Sequence, residues 1–133
     1  MITGAHVLLY STDPEADRIF FRDVLGFRAV DAGGGWLIFA LPPAEAALHP
    51  EEKSHLRRHA DHELLGAVLY LMCDDLDATM RSLKARKVQC TEVTEEPWGR
   101  KTTFRVPSGG EIGLYQPTHP TAIESQGGRR RKK

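Results

Sequence analysis

The side chains with chemistry to offer recur along the chain. Glu45 and His49, in the segment Leu41 to Pro50 (LPPAEAALHP), answer to Glu111 and Tyr115 in Val106 to Pro117 (VPSGGEIGLYQP), each pair 66 residues apart. Leu48 and Leu114 keep the same offset, and Phe39 and Pro42 answer to Phe104 and Pro107 at 65. Two copies of one unit, each ending in a strand that carries a glutamate, would lay those strands side by side across a pseudo-twofold axis. They would line a shared cleft, and function is to be read from the side chains facing it. A second group is His55, His59 and His62, which share a face if their segment is helical and then have the spacing of metal ligands. The charge around them (EEKSHLRRHADHELLG) favours a solvated linker face instead.

Local pattern gives the elements that must position these residues. Gly4 to Ser11 (GAHVLLYS), holding His6 and Tyr10, reads as a largely buried strand. Asp13 offers an N-cap and Pro14 a first helical residue, Ala16, Ile19, Phe20 and Val24 form the buried stripe, and Gly26 ends the helix. Phe27 to Ala32 and Trp36 to Leu41 make a hairpin across glycines 33–35. Pro42 and Pro43 then break the strand, and Glu45 to His49 adds a short fourth one.

After a polar connector over 51–66, read as part helical, the order repeats. Ala67 to Cys73 is a strand, Asp74 or Asp75 caps a helix with the stripe Leu76, Met80 and Leu83, and Lys87 falls where the first copy has Gly26, at a predicted positive φ. Strands Val88 to Val93, Lys101 to Val106 and Glu111 to Tyr115 follow, with a turn over Glu95 to Arg100. The chain therefore reads as βαβββ units at 1–50 and 67–117 and a tail over 118–133 expected to be disordered.

The 133 residues suffice for a hydrophobic core, and 18 basic against 18 acidic side chains leave no net field to draw nucleic acid or a membrane. The terminal RRRKK run could touch a polyanion, but a solvated tail is the favoured reading. Cys73 and Cys90 make neither a disulfide framework nor a thiolate zinc site, and with no signal pattern or long apolar run the expected location is the cytoplasm.

The tandem order, the run FFRDVLGF, the turn Trp98 to Arg100 (WGR) and the ending Pro107 to Tyr115 (PSGGEIGLY) resemble the vicinal oxygen chelate superfamily of glyoxalase, bleomycin-resistance and extradiol-dioxygenase proteins. The resemblance spans about residues 4 to 117. It implies an α+β fold in which two tandem βαβββ units form a mixed, open-barrel-like sheet, a homodimer by family habit, and a small-molecule ligand or substrate. In metal-using members each unit supplies one ligand from its first strand and one from its last. His6 matches, whereas the other three places fall at Val68, Ala47 and Gly113, none of which binds a metal.

Two readings stay open. A shifted register would recruit His6, Glu45 or His49, and Glu111 as a ligand set for iron, manganese, zinc or nickel, with a glutamate left free to move a proton, Glu111 being the catalytic candidate. The chain would then be a metal-dependent lyase or dioxygenase. In the favoured reading it binds a small molecule without the usual four-ligand metal site. Tyr10, Val68, Tyr70 and Tyr115 then line the ligand's place, Trp98 stacks at its mouth, and Glu111 and His49 meet a polar group. A weaker third reading is a partner protein that docks through its basic tail, and His119, outside the repeat, receives no role.

Overall fold

Two helices of the described residues begin where their caps require. The Asp13 carboxylate accepts the Ala16 amide at 3.2 Å and Pro14 opens helix α1, Pro14–Asp23. Asp75 accepts the Ala78 amide at 3.0 Å and opens α2, Leu76–Ala85. Each cap satisfies a first-turn amide that has no helical partner, an effect of about 1 kcal/mol. Gly26 at φ 75° and Lys87 at φ 67° take the left-handed conformation expected of them.

The computed structural model describes Met1 and residues 3–51 and 56–123. The fold is α+β, and the chain divides into two compact units: Met1–Leu41 with Arg105–Glu111, and Pro42–Phe104 with the chain from Ile112 onward. His55 and the basic run at the end of the tail lie outside the described residues.

In the first unit, β1 (Ala29–Asp31) pairs antiparallel with β2 (Leu37–Phe39) across the three glycines, all at positive φ. The Asp31 carboxylate fixes the turn by accepting the Gly33 and Gly35 amides at 2.7 and 3.3 Å. Helix α1 turns Phe20 and Phe21 inward, and the Phe21 ring meets those of Phe27 and Phe39 at 5.8 and 5.5 Å. Ile19, expected in the buried stripe, is 46% exposed. Two adjacent phenylalanines offer more apolar surface than an isoleucine, and they set the rotation of the helix.

Asp17 fastens the same unit. Its carboxylate accepts the Ser11 hydroxyl at 2.6 Å, the Ser108 amide at 3.0 Å and the Ser108 hydroxyl at 2.6 Å, holding the turn at 106–110 to α1. The expected strand Gly4 to Ser11 is absent: the segment joins no ladder among the described residues, and Val7, Leu8, Leu9 and Tyr10 stay about half exposed.

The second unit departs from expectation at the connector, which is a β-hairpin. Strands β3 (Leu56–His59) and β4 (His62–Leu65) pair antiparallel around Ala60 and Asp61, both left-handed at φ 51° and 66°. His59 and His62 are cross-strand partners rather than neighbours on a helical face. A four-stranded sheet follows in the order β5 (Tyr70–Met72), β8 (Glu111–Pro117), β7 (Gly99–Arg105) and β6 (Thr94–Glu96). Among the described residues the expected strand Val88 to Val93 is reduced to a bridge from Cys90 to Phe104 and the Thr91 amide donating to the Thr103 carbonyl at 2.9 Å, and Glu45 to His49 forms no strand. Leu76, Leu83, Val88, Phe104, Ile112 and Leu114 make the core, in which Leu76 is fully buried, worth about 1.5–3 kcal/mol for that side chain. Among the described residues no helix is long and apolar enough to cross a membrane.

Candidate functional site

Parallel pairing of β5 with β8 sets the site, because it places Tyr70 opposite Gly113 and Met72 opposite Tyr115. Residues two apart share a face of a strand, so Tyr70 and Tyr115 come to one surface with no side chain at Gly113 to separate them. The Tyr70 ring lies directly over Gly113: a Cβ there would fall among Cγ, Cδ1 and Cε1 of Tyr70, with Cγ at 2.8 Å and the other two nearer.

The turn between β6 and β7 brings the third ring. Trp98 precedes Gly99, whose backbone is pressed so close to β8 that a Cβ would meet the Gln116 carbonyl oxygen at 2.6 Å. The Thr118 amide donates to the Trp98 carbonyl at 3.0 Å, and Arg100 anchors the turn through Glu95 at 2.9 Å and Asp77 at 3.6 Å. The three rings meet edge to face, with centroids 6.0 Å apart for Tyr70 and Trp98, 5.7 Å for Tyr70 and Tyr115, and 5.2 Å for Trp98 and Tyr115. Tyr70 is 39% exposed and the other two are partly exposed, so the cluster presents ring surface outward. The Lys101 ammonium stands 5.5 Å from the centre of the Trp98 ring and 3.5 Å from the Glu96 carboxylate.

Tyr115 is the hub of the cluster and its polar handle. Its hydroxyl is 3.0 Å from Nε2 of His119, whose ring stacks on it at 5.9 Å, while Nδ1 of His119 is 2.8 Å from the Pro120 carbonyl oxygen. Burial first, then the charge of Glu45 and the neighbouring Tyr70, raise the Tyr115 pKa above the ordinary phenol value and keep the hydroxyl protonated. Glu45 is itself held by the Ala122 amide, which donates to Oε1 at 2.8 Å. Sequence reasoning missed His119 because it follows the last strand of the repeat. The i, i+4 spacing from Tyr115, just past a strand end, was the available signal.

The candidates from the sequence fall in both units. Tyr70, Trp98 and Tyr115 are brought together, with the charge of Glu45 acting on Tyr115. Val68 is 83% exposed. His49 is exposed, with Nδ1 2.8 Å from the carbonyl oxygen of its neighbour Pro50. His6, Tyr10 and Glu111 belong to the first unit, where His6 is exposed and Glu111 stands 4.0 Å from the guanidinium of Arg105. Among the described residues no three His, Cys, Asp or Glu side chains are grouped so as to hold a metal ion.

Residues 4–114 match the family model described as Glyoxalase/Bleomycin resistance protein/Dioxygenase superfamily. Among solved structures, the chain is similar to TnmS3, an antibiotic binding protein from Streptomyces sp. CB03234, with 27% identity over 89% of this chain and 100% of that one and a TM-score of 0.55. A glyoxalase/bleomycin resistance protein from the same Streptomyces is also 27% identical, over 81% of this chain and 95% of its own, with a TM-score of 0.50. The lactoylglutathione lyase of Agrobacterium tumefaciens shares the fold, at 18% identity over 86% and 92% of the two chains and a TM-score of 0.58. No curated protein matches the chain.

Proposed function

The chain belongs to the Glyoxalase/Bleomycin resistance protein/Dioxygenase superfamily, and we propose that within it the chain binds a small molecule, seating a planar, largely apolar ligand on the rings of Tyr70, Trp98 and Tyr115. The observation that carries this reading is the Tyr70 ring over Gly113. The resemblance to metal-using members implies a metal ligand, a glutamate, at that place. Here there is no side chain, and an aromatic ring fills the space a carboxylate would need. The first-strand place at Val68 and the last-strand place at Ala47 likewise lack a donor atom. Replacing metal donors with exposed ring surface exchanges Lewis-acid chemistry for stacking and apolar burial, which suits binding better than turnover. The likeness to an antibiotic binding protein over nearly its whole length supports the same direction.

The half-exposed apolar run Val7 to Tyr10 supports a homodimer in which a second copy covers it, and the two free cysteines accord with a cytoplasmic setting. The binding reading is tested by protein-observed NMR with the planar probe 6-methoxyquinoline, on the wild type and on Trp98→Ala. Saturable shifts centred on the Trp98 indole and the Tyr70, Gly113 and Tyr115 amides are expected, with affinity at least about tenfold weaker in the variant, the equivalent of about 1.4 kcal/mol. Shifts scattered elsewhere, or equal affinity in both proteins, would refute it.

A further inference from the structure

Hydrogen bonding around Tyr115 has a direction, and that direction restricts the ligand. A carbonyl oxygen only accepts, so the contact of His119 Nδ1 with the Pro120 carbonyl oxygen at 2.8 Å puts a proton on Nδ1. In a neutral imidazole Nε2 is then the lone-pair nitrogen, and the Tyr115 hydroxyl 3.0 Å away donates to it. The only proton of the hydroxyl is thereby committed to His119, and what Tyr115 retains for a ligand is oxygen lone pairs.

We infer that the ligand edge meeting Tyr115 carries a hydrogen-bond donor, a hydroxyl or N–H, and not a carbonyl or carboxylate, with His119 as the positioning residue that imposes this polarity. The inference rests on the aromatic-face reading above and narrows it. A second observation points the same way. Glu45, fixed on the Ala122 amide, places negative charge near enough to act on the Tyr115 hydroxyl, which favours an approaching donor and repels an oxygen acceptor. A flat aromatic ligand bearing a phenol, an enol or an aromatic amine at its edge satisfies both the rings and the polarity.

The test uses three probes of similar shape at pH 8, 6-hydroxyquinoline, 6-methoxyquinoline and 6-acetylquinoline, titrated into the full chain and followed by NMR. The wild type is expected to prefer the hydroxyl probe over the methoxy probe by about fivefold, in keeping with one hydrogen bond. Tyr115→Phe should bring those two within twofold of each other. In His119→Ala the Tyr115 hydroxyl is released to donate, and the acetyl probe should gain about fivefold over its wild-type affinity. Equal wild-type affinities, or a preference for the acetyl probe, would overturn the polarity while leaving the aromatic seat standing. A hydroxyl preference that survives Tyr115→Phe would overturn the assignment to Tyr115. Failure of all three probes to bind would overturn the seat and the polarity together.

Discussion

Gly113→Ala is the smallest change that strikes the aromatic face. The added Cβ would overlap three atoms of the Tyr70 ring, with Cγ at 2.8 Å and Cδ1 and Cε1 nearer, against a favourable carbon–carbon distance of about 3.5–4.0 Å. The backbone cannot yield easily, since Gly113 is in register with Tyr70 in the parallel ladder and its amide donates to the Leu69 carbonyl at 3.0 Å. Tyr70 must therefore swing away. Doing so forfeits its edge-to-face contacts with Trp98 and Tyr115, each worth about 0.5–1.5 kcal/mol, for a total of about 1–3 kcal/mol. Gly113 has no left-handed φ, so the substitution carries no separate backbone strain. Urea unfolding measures the loss, and near-ultraviolet circular dichroism reports the ring geometry. In a Tyr70→Ala background the same Gly113→Ala change should cost less than about 0.5 kcal/mol, because nothing remains for the Cβ to strike. An equal cost in both backgrounds, or an unaltered aromatic spectrum, would refute the reasoning.

Other consequences follow from the same structure. Asp17→Ala removes the acceptor of three hydrogen bonds between α1, Ser11 and the turn at Ser108, and should lower stability by about 2 kcal/mol in urea melts, given the partial exposure of the group. Lys87→Gly relieves a left-handed residue at φ 67° and should raise the urea midpoint, by about 1 kcal/mol in stability. Burial pushes the Cys73 thiol above its ordinary value, so the thiolate is scarcer at any given pH. Its alkylation by iodoacetamide should therefore be slow at pH 8 and keep accelerating above the usual thiol pKa of about 8.5, where a free cysteine levels off. Sedimentation equilibrium should return two chains of 14.9 kDa, and introducing lysine at Leu8 should shift the protein toward a single chain.

What could be read from the sequence was what the chain decides locally. Asp13 and Asp75 as caps, Gly26 and Lys87 as left-handed ends, and the glycine hairpin at 33–35 each depend on a few adjacent residues, and all appear as expected. Pairing partners were harder. Gly4 to Ser11 has strand-like composition and Glu45 to His49 is expected as a strand only from the repeat, but a strand exists only where another edge lies beside it, and neither segment joins a ladder among the described residues. The hairpin in the connector was hidden because Ala60 and Asp61 occupy left-handed turn positions that usually announce themselves with glycine or asparagine. At the site, Tyr70, Trp98 and Tyr115 were recognisable as ligand candidates. Their mutual geometry was not, because it depends on the register that sets Tyr70 on Gly113, and on a histidine beyond the repeat.

The most direct measurement is binding of 6-methoxyquinoline to protein dialysed exhaustively against EDTA, repeated after adding manganese, zinc or nickel. Saturable perturbation of the Trp98 indole signal in the chelated protein, unchanged by the metals, is the predicted result. Binding that appears only when one of those ions is restored, and is lost again in His6→Ala and Glu111→Ala, would contradict the account and put a metal at the centre of the site.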